Sequence, residues 1–175
     1  MKRQQGSALA TVLVVMLVLM FGALAAIRST ESTSLIAGNS AFKEATKQAA
    51  DIGVNEAFSY VVALTDAETE VENKYYPERQ PEDQHELPST VDWDEVEERQ
   101  AENYKIQFVV ERLCTGAMPV SDVLNQCVTE VQPAAGSNKL GSEVYSAPPT
   151  TVFRITVRTR GPKNSEAFTQ ALTSR

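Results

Sequence analysis

The chain has 175 residues, which is enough for one modest domain, and its formal net charge is −7. The acidic side chains concentrate in residues 66–102, where fourteen acids and three bases give a local net charge of −11, so the remainder carries +4. A nucleic-acid-binding protein is expected to show a basic stripe in its soluble part, so this distribution argues against that class and against nucleic acid as a partner.

The N-terminal region carries an apolar run. Residues 7–27 contain no charge and follow a short start that holds Lys2 and Arg3. A helix of this length spans about 30 Å, the hydrocarbon thickness of a bilayer. Because basic residues stay on the cytoplasmic side, we expect a single membrane pass with the N-terminus in the cytoplasm and the bulk of the chain outside it.

Three processing histories fit this start. Residues 23–25 read Ala-Leu-Ala, an A-x-A site at which signal peptidase could release a periplasmic binding domain. The run could instead be an uncleaved anchor helix. In the third history, residues 1–6 are a prepilin leader that is cut between Gly6 and Ser7, and the apolar helix stays on the mature protein.

The residues that follow favour the third history. No proline occurs before Pro77, and residues 28–64 are predicted to continue the helix with one apolar side. The apolar positions of this continuation are Leu35, Phe42, Ala45, Ala49, Ile52, Val54, Phe58, Val61 and Val62. An apolar span that runs without a break into an amphipathic helix is unusual for a discarded signal peptide and suits a long spine helix.

Several stretches resemble PilX-type minor pilins, which belong to the N-terminally methylated type IV pilins. They are residues 6–19, 25–30, the Ile-Ala-Gly-Asn of 36–39, the segment 42–51, and the closing Arg-Ile-Thr strand and glycine turn of 152–161. The resemblance covers about the first 57 residues and this ending, and the middle of the chain carries no match.

The resemblance implies an α+β, type IV pilin-like fold, in which the long N-terminal helix packs on a small antiparallel sheet. It also implies a place in the bacterial inner membrane with a periplasmic domain, cleavage by a prepilin peptidase, N-methylation, and a role in pilus assembly and twitching motility. Its expected partners are other minor pilins and the major pilin of the fimbrium, with which it would initiate or cap the fibre at the pilus tip. A tip adhesin is a further candidate partner.

Thr11 departs from the common pilin pattern. Major pilins carry a glutamate five residues into the mature chain, and this position is Thr11 if Ser7 is the first mature residue. The resemblance therefore implies a helix-packing position that lacks the usual carboxylate.

After the helix, residues 65–103 are predicted to form an acidic loop region, because prolines break any helix and the charge density leaves little to bury. Residues 104–175 are predicted to form an antiparallel sheet with a loop in its middle. Residues 104–113 and 152–158 alternate apolar and polar side chains, 161–164 indicate a turn, and 165–172 return as a partner strand.

Cys114 and Cys127 are the only cysteines. In a domain that lies outside the cytoplasm, a disulfide is the expected state of such a pair. The alternative is two unpaired, buried thiols.

No residues suggest an enzyme, and we expect no catalytic, cofactor-binding or metal site. His85 is the only histidine and lies in an acidic, proline-rich segment, where a solvated position is expected. Residues 92–95 offer oxygen atoms to calcium but lack the glycine and distal glutamate of an EF-hand loop.

Two surface features leave alternatives open. Arg154, Arg158 and Arg160 form a basic strand face that could dock the acidic segment of this chain or of a neighbour, but a solvated face is the simpler interpretation and the one we adopt. Trp93 and the tyrosine pair at 75–76 are either contact residues or partly buried against the sheet.

The leading hypothesis from the sequence is a minor pilin. The nearest alternative is a minor pseudopilin of a type II secretion system, which usually carries a large inserted domain that 175 residues do not allow. A periplasmic binding domain with a cleaved signal peptide is the alternative from a different class.

Overall fold

The computed structural model describes residues 7–116, 118–130 and 150–175. Its first element is a single α-helix, α1, from Ser7–Ala63, which agrees with the helix predicted over residues 7–64. The chain divides into two compact units, of which the first ends at Phe42 and the second covers Lys43–Arg175. Residues 1–6, which are predicted to form a leader that ends at Gly6, lie outside the described part of the chain.

The first unit contains residues 7–42 of α1, which we call the apolar half of this helix. Every side chain described between positions 8 and 31 is exposed. Leu9, Met16 and Phe21 leave between 68% and 73% of their surface uncovered. Within the described residues, α1 is the one helix long and apolar enough to cross a membrane, and its most apolar window has a mean hydropathy of 2.7.

Among the residues described, the second unit is an α+β domain built on a six-stranded sheet. Its strands are β1 (Tyr75–Tyr76), β2 (Arg99–Ala101), β3 (Tyr104–Arg112), β4 (Thr129–Glu130), β5 (Thr150–Arg160) and β6 (Glu166–Ser174). A short helix, α2 (Val123–Gln126), precedes β4. Strand β5 pairs antiparallel with β3 and with β6, as predicted for these three long strands.

The prediction of a purely antiparallel sheet is wrong, because β1 runs parallel to β3. The backbone N–H of Val110 donates to the Lys74 carbonyl at 2.9 Å, which fixes this pairing. Tyr75 is fully buried, and its hydroxyl donates to the Ala67 carbonyl at 2.7 Å. The buried Tyr75 therefore fixes the position of β1 in the sheet. The sequence did not predict this strand, because two residues are too few to show an alternating pattern.

The second half of α1 packs on one face of the sheet. Its buried positions recur at helical spacing and are Thr46, Ala49, Ala50, Gly53, Ala57 and Val61. They face a core that includes Ile106, Val110, Ile155 and Val157. The apolar side predicted from the sequence is only partly correct, because Ile52, Phe58 and Val62 are 41%, 48% and 56% exposed. Small residues, which let the helix approach closely, occupy the buried stripe instead.

Gly53 shows how close this approach is. A Cβ atom at this position would lie 2.6 Å from the Val157 Cγ1 atom and 2.7 Å from the Ile106 Cγ2 atom. Both neighbours are β-branched side chains with few alternative rotamers, so neither can move aside at low cost.

We expect Gly53→Ala to destabilise the domain by up to about 2 kcal/mol, because overpacking costs about 1–3 kcal/mol and the gain in helix propensity offsets about 1 kcal/mol of it. Urea unfolding of the full chain in detergent measures the change. Gly38→Ala is the matched control, since no atom lies within 4 Å of a Cβ built there. Equal stability of Gly53→Ala and the parent would contradict the close approach.

The end of α1 is tied to the end of β6. The Arg175 guanidinium donates to the carbonyls of Val61, at 2.8 Å, and Leu64. Carbonyls in the last turn of a helix lack partners within the helix, and a cation there also complements the helix dipole. At the other end of the domain, the hydroxyls of Thr46 and Ser165 lie 2.6 Å apart. The helix therefore runs in the same direction as β6.

The part of the acidic segment (residues 66–102) that lies between β1 and β2 covers the opposite face of the sheet. Tyr76, Val91 and Val96 form a second small core with Val109 of β3, and Trp93 packs against it. The Gln107 amide anchors the segment, because its Nε2 donates to the carbonyls of Trp93 at 2.7 Å and Val96 at 2.9 Å. The domain therefore has three layers, which are helix, sheet and acidic segment.

Candidate functional site

The apolar half of α1 is the first candidate site, because it presents an unusually large uncovered apolar surface. Its uncharged stretch begins with Ser7, the first residue of α1, and runs to position 27. Thr11 lies on this stretch, and its hydroxyl donates to the Ala8 carbonyl at 2.9 Å. A threonine satisfied by its own helix can be placed in an apolar environment without a charged partner.

The basic face of β5 is the second candidate site, and it is not solvated as predicted. Arg154, Arg158 and Arg160 bind the carboxylates of the acidic segment of their own chain, which confirms the alternative interpretation. The matching acids are Glu82, at 2.5 Å from Arg154, Asp94, at 3.7 Å from Arg158, and Glu98, at 2.7 Å from Arg160.

Arg154 is the centre of this contact. Its side chain is 10% exposed, and its Nε donates to Glu111, whose side chain is 2% exposed, at 2.5 Å. The other Glu111 oxygen accepts the backbone N–H of Gln80 at 2.8 Å. Burial lowers the pKa of Arg154, but the hydrogen bonds to Glu111 and Glu82 outweigh it and raise this pKa overall. The arginine is therefore a permanent cation that joins the sheet to the acidic segment.

Two carboxylates that contact the arginines of β5 are held in their charged form. Hydrogen bonds from Arg154 and then Arg79 lower the pKa of Glu82. Lys105, which lies 2.8 Å from Glu98, lowers the pKa of that carboxyl, with a smaller effect of Arg160. These shifts link attachment of the acidic segment to pH.

Acidification should release the acidic segment. A lowered carboxyl pKa contributes stability above the unfolded value, near 4.5, and this stability is lost as pH falls through the lower folded value. Trp93, the only tryptophan, packs edge-on against Phe168 with ring centroids 5.4 Å apart and so reports release by fluorescence. We expect the transition below pH 4.5, with helical circular dichroism unchanged at its onset. Constant fluorescence down to pH 3 would show that these pairs do not hold the segment.

The disulfide is confirmed. The sulfur atoms of Cys114 and Cys127 are 2.09 Å apart, and the two residues also pair as an isolated antiparallel bridge. The bridge ties the end of β3 to the residue that follows α2. It closes the loop beside the acidic segment, where the Val120 N–H donates to Glu68 at 3.0 Å.

The other residues that the sequence analysis considered are either exposed to solvent or engaged in packing and hydrogen bonds. His85 is exposed, as predicted. Across the described ranges, no three His, Cys, Asp or Glu side chains are grouped as a metal requires. Asp92 accepts the N–H of Asp94, and Glu95 accepts the amide of Asn73, so the carboxylates of residues 92–95 have separate partners. Tyr75 and Tyr76 are buried and Trp93 is partly buried, which supports packing.

The functional residues that the sequence did not reveal are Gln107 and Glu111, because the alternation of residues 104–113 predicts that these polar side chains lie on a solvated face of β3. Both are 2% exposed, because the acidic segment covers that face. A signal was present: the arginines of β5 face the same side as Glu111 and oppose a segment with a surplus of eleven negative charges.

Comparisons with protein-family models, with curated proteins and with solved structures gave no match for this chain.

Proposed function

We propose that this protein is a minor pilin that takes part in type IV pilus assembly, in the initiating or tip complex. The observation that carries the proposal is α1. Its first part is uncharged and exposed on every side, and the same unbroken helix continues into a part that is packed on the sheet of the second unit. A signal sequence that is removed is not expected to form one continuous helix with residues of the domain core.

In this function the apolar half of α1 has two successive environments. It first anchors the chain in the inner membrane, with the N-terminus in the cytoplasm and the second unit in the periplasm. It then packs against the helices of other minor pilins and of the major pilin in the fibre. The protein works by association, and prepilin peptidase acts on it as a processing enzyme.

Thr11 bears on the position in the fibre. In the pilin family, a glutamate at this position meets the N-terminal amine of a neighbouring subunit within the apolar bundle. A charged amine without such a partner is costly there, because desolvation disfavours its charged form. A subunit that offers the self-satisfied hydroxyl of Thr11 is best placed where no neighbour needs a carboxylate, at the leading end of the filament.

Processing tests the function directly. We expect a mature chain that starts at Ser7 and keeps residues 7–27, and N-terminal sequencing of the protein from membranes measures this. Gly6→Leu should block the cut and leave the full-length chain, whereas Gln5→Leu, one residue further from the cut, should not. A mature start at Ala26 would support a released periplasmic domain and overturn the minor pilin.

A further inference from the structure

A polar cleft of about 460 Å³ lies at one end of the sheet of the second unit. Its floor consists of Lys105 of β3 and Arg160 of β5, which are register partners on neighbouring strands. The turn between β2 and β3 forms one wall, and the turn between β5 and β6 forms the other. Arg160 ends β5, about 33 Å along the strand from Thr150. Every residue that lines the cleft belongs to the described ranges.

The floor of the cleft carries more positive than negative charge. Two cations that face each other on neighbouring strands repel, so they require an anion between them. The Glu98 carboxylate lies there, at 2.8 Å from Lys105 and 2.7 Å from Arg160. Glu166 at the rim is already bonded to Arg158, at 2.6 Å. One carboxylate therefore serves two cations, and one positive charge of the floor remains for a ligand.

Polar groups with unused hydrogen-bonding capacity surround this charge. The Arg160 guanidinium carries five N–H donors, and within the described ranges it donates only to Glu98. The side-chain amides of Gln100, Asn103 and Asn164 also line the cleft, and no described residue hydrogen-bonds to them. None of the lining side chains is apolar. The cleft therefore offers donors and acceptors on all sides and no surface for an apolar ligand.

The walls of the cleft are held in place. A Cβ atom at Gly161 would lie 2.5 Å from the Thr46 hydroxyl, so the turn between β5 and β6 is pressed against α1. Glu102, Lys163 and Asn164, in the two wall turns, have φ of 53°, 55° and 58°. Such left-handed conformations are strained in residues other than glycine and cluster at ligand-binding sites. A cleft that is formed in advance binds a small ligand without the cost of ordering its own residues.

We propose that this cleft binds a small polyhydroxylated carboxylate, with the size and chemistry of an acidic sugar. The carboxylate lies against Lys105 and Arg160, where charge-assisted hydrogen bonds hold it. The hydroxyls of the ligand both donate and accept, as do the amides of Gln100, Asn103 and Asn164. The volume lies within the range of about 300–1,000 Å³ that is usual for small-molecule sites.

The single unmatched charge selects a carboxylate over a phosphate ester. A phosphate ester carries between about 1.5 and 2 negative charges at neutral pH, which is more than the floor can neutralise. A neutral sugar would leave the positive charge without a partner. The site belongs to the second unit alone and does not depend on the proposed function.

The test is saturation-transfer NMR of the full chain, at neutral pH and low salt, in a detergent that contains neither sugar nor phosphate. Titration with sodium glucuronate should give a dissociation constant on the order of 1 mM. Glucose, which lacks the charge, and acetate, which lacks the hydroxyls, should each bind at least about tenfold more weakly. Absence of saturable glucuronate binding up to about 50 mM, or equal affinity for glucose or acetate, would overturn the proposal.

Two variants locate the binding at the cleft. Lys105→Gln removes the unmatched charge, leaves Glu98 paired with Arg160, and should weaken glucuronate binding about tenfold. Asn164→Gly removes one amide and should weaken binding about threefold, while glycine keeps the left-handed backbone without strain.

Lys47→Gln is the matched control, because it removes the same charge from an exposed position on α1, which packs on the other face of the sheet. It should leave the affinity unchanged. Unchanged binding by Lys105→Gln, or an equal loss in Lys47→Gln, would overturn the assignment to this cleft. Trp93 fluorescence confirms that each variant folds. The mature N-terminus tests the proposed function separately, so either proposal can fail alone.

Discussion

Val15→Asp should abolish surface pili. Val15 lies near the middle of the uncharged part of α1 and is 56% exposed, so its side chain faces whatever surrounds the helix. A carboxylate at the centre of a membrane-spanning helix costs about 3 kcal/mol relative to valine, and more in a bundle without a partner cation. Counting pili on a deletion strain that carries the variant measures the effect.

Val15→Leu is the matched control, because it keeps the position apolar and should restore the parental number of pili.

Thr11→Glu tests the position of the protein in the fibre. If the protein belongs at the tip, a carboxylate at position 11 meets no neighbouring amine and should not improve assembly. Normal pilus numbers with Val15→Asp, or in the deletion strain itself, would contradict a role in assembly. Immunogold label along the whole shaft would contradict the tip position.

Arg154→Leu should destabilise the second unit by about 3–5 kcal/mol, because it leaves the buried Glu111 carboxylate without its cation. The Gln80 N–H alone remains to stabilise that charge. Urea unfolding of the full chain in detergent, followed by Trp93 fluorescence, measures the change.

Two further variants test the cause. Replacing both partners, Arg154→Leu with Glu111→Met, removes the uncompensated charge and should recover most of the lost stability. Arg158→Leu should cost less than about 1 kcal/mol, since its partners Asp94 and Glu166 are 85% and 41% exposed and return to water. If Arg158→Leu were as destabilising as Arg154→Leu, the buried position of Glu111 would not be the source of the effect.

The parts of this fold that repeat a pattern over many residues were predictable. The alternation in Tyr104–Arg112 and Thr150–Arg160 gave the paired strands β3 and β5, and the absence of proline before position 77 gave α1. The disulfide followed from the number of cysteines and the expected compartment. In each case local chemistry points to one structure, and the tertiary fold agrees with it.

The acidic segment was not predictable in the same way. Its composition indicates a solvated loop, and its attachment depends on arginines more than fifty positions later in the chain. Phe58 shows the same limit in the helix: its spacing fits an apolar stripe, but the close approach at Gly53 turns the buried stripe toward Ala50 and Ala57. Of the candidate site, the back-bonding of Thr11 was foreseeable from its hydroxyl, while the buried pair of Arg154 and Glu111 required the fold.

The packed half of α1 is attached at both of its ends, and this has a mechanical consequence. Thr46 contacts Ser165 at the start of β6, and Arg175 holds the last carbonyls of the helix at the other end. A force that pulls on α1 along its axis therefore loads these two contacts, and the helix–sheet core between them, in shear. Contacts loaded in shear must yield together, whereas contacts that are peeled break one after another. The packed half of the helix should therefore resist extraction along its axis more strongly than it resists peeling from the sheet.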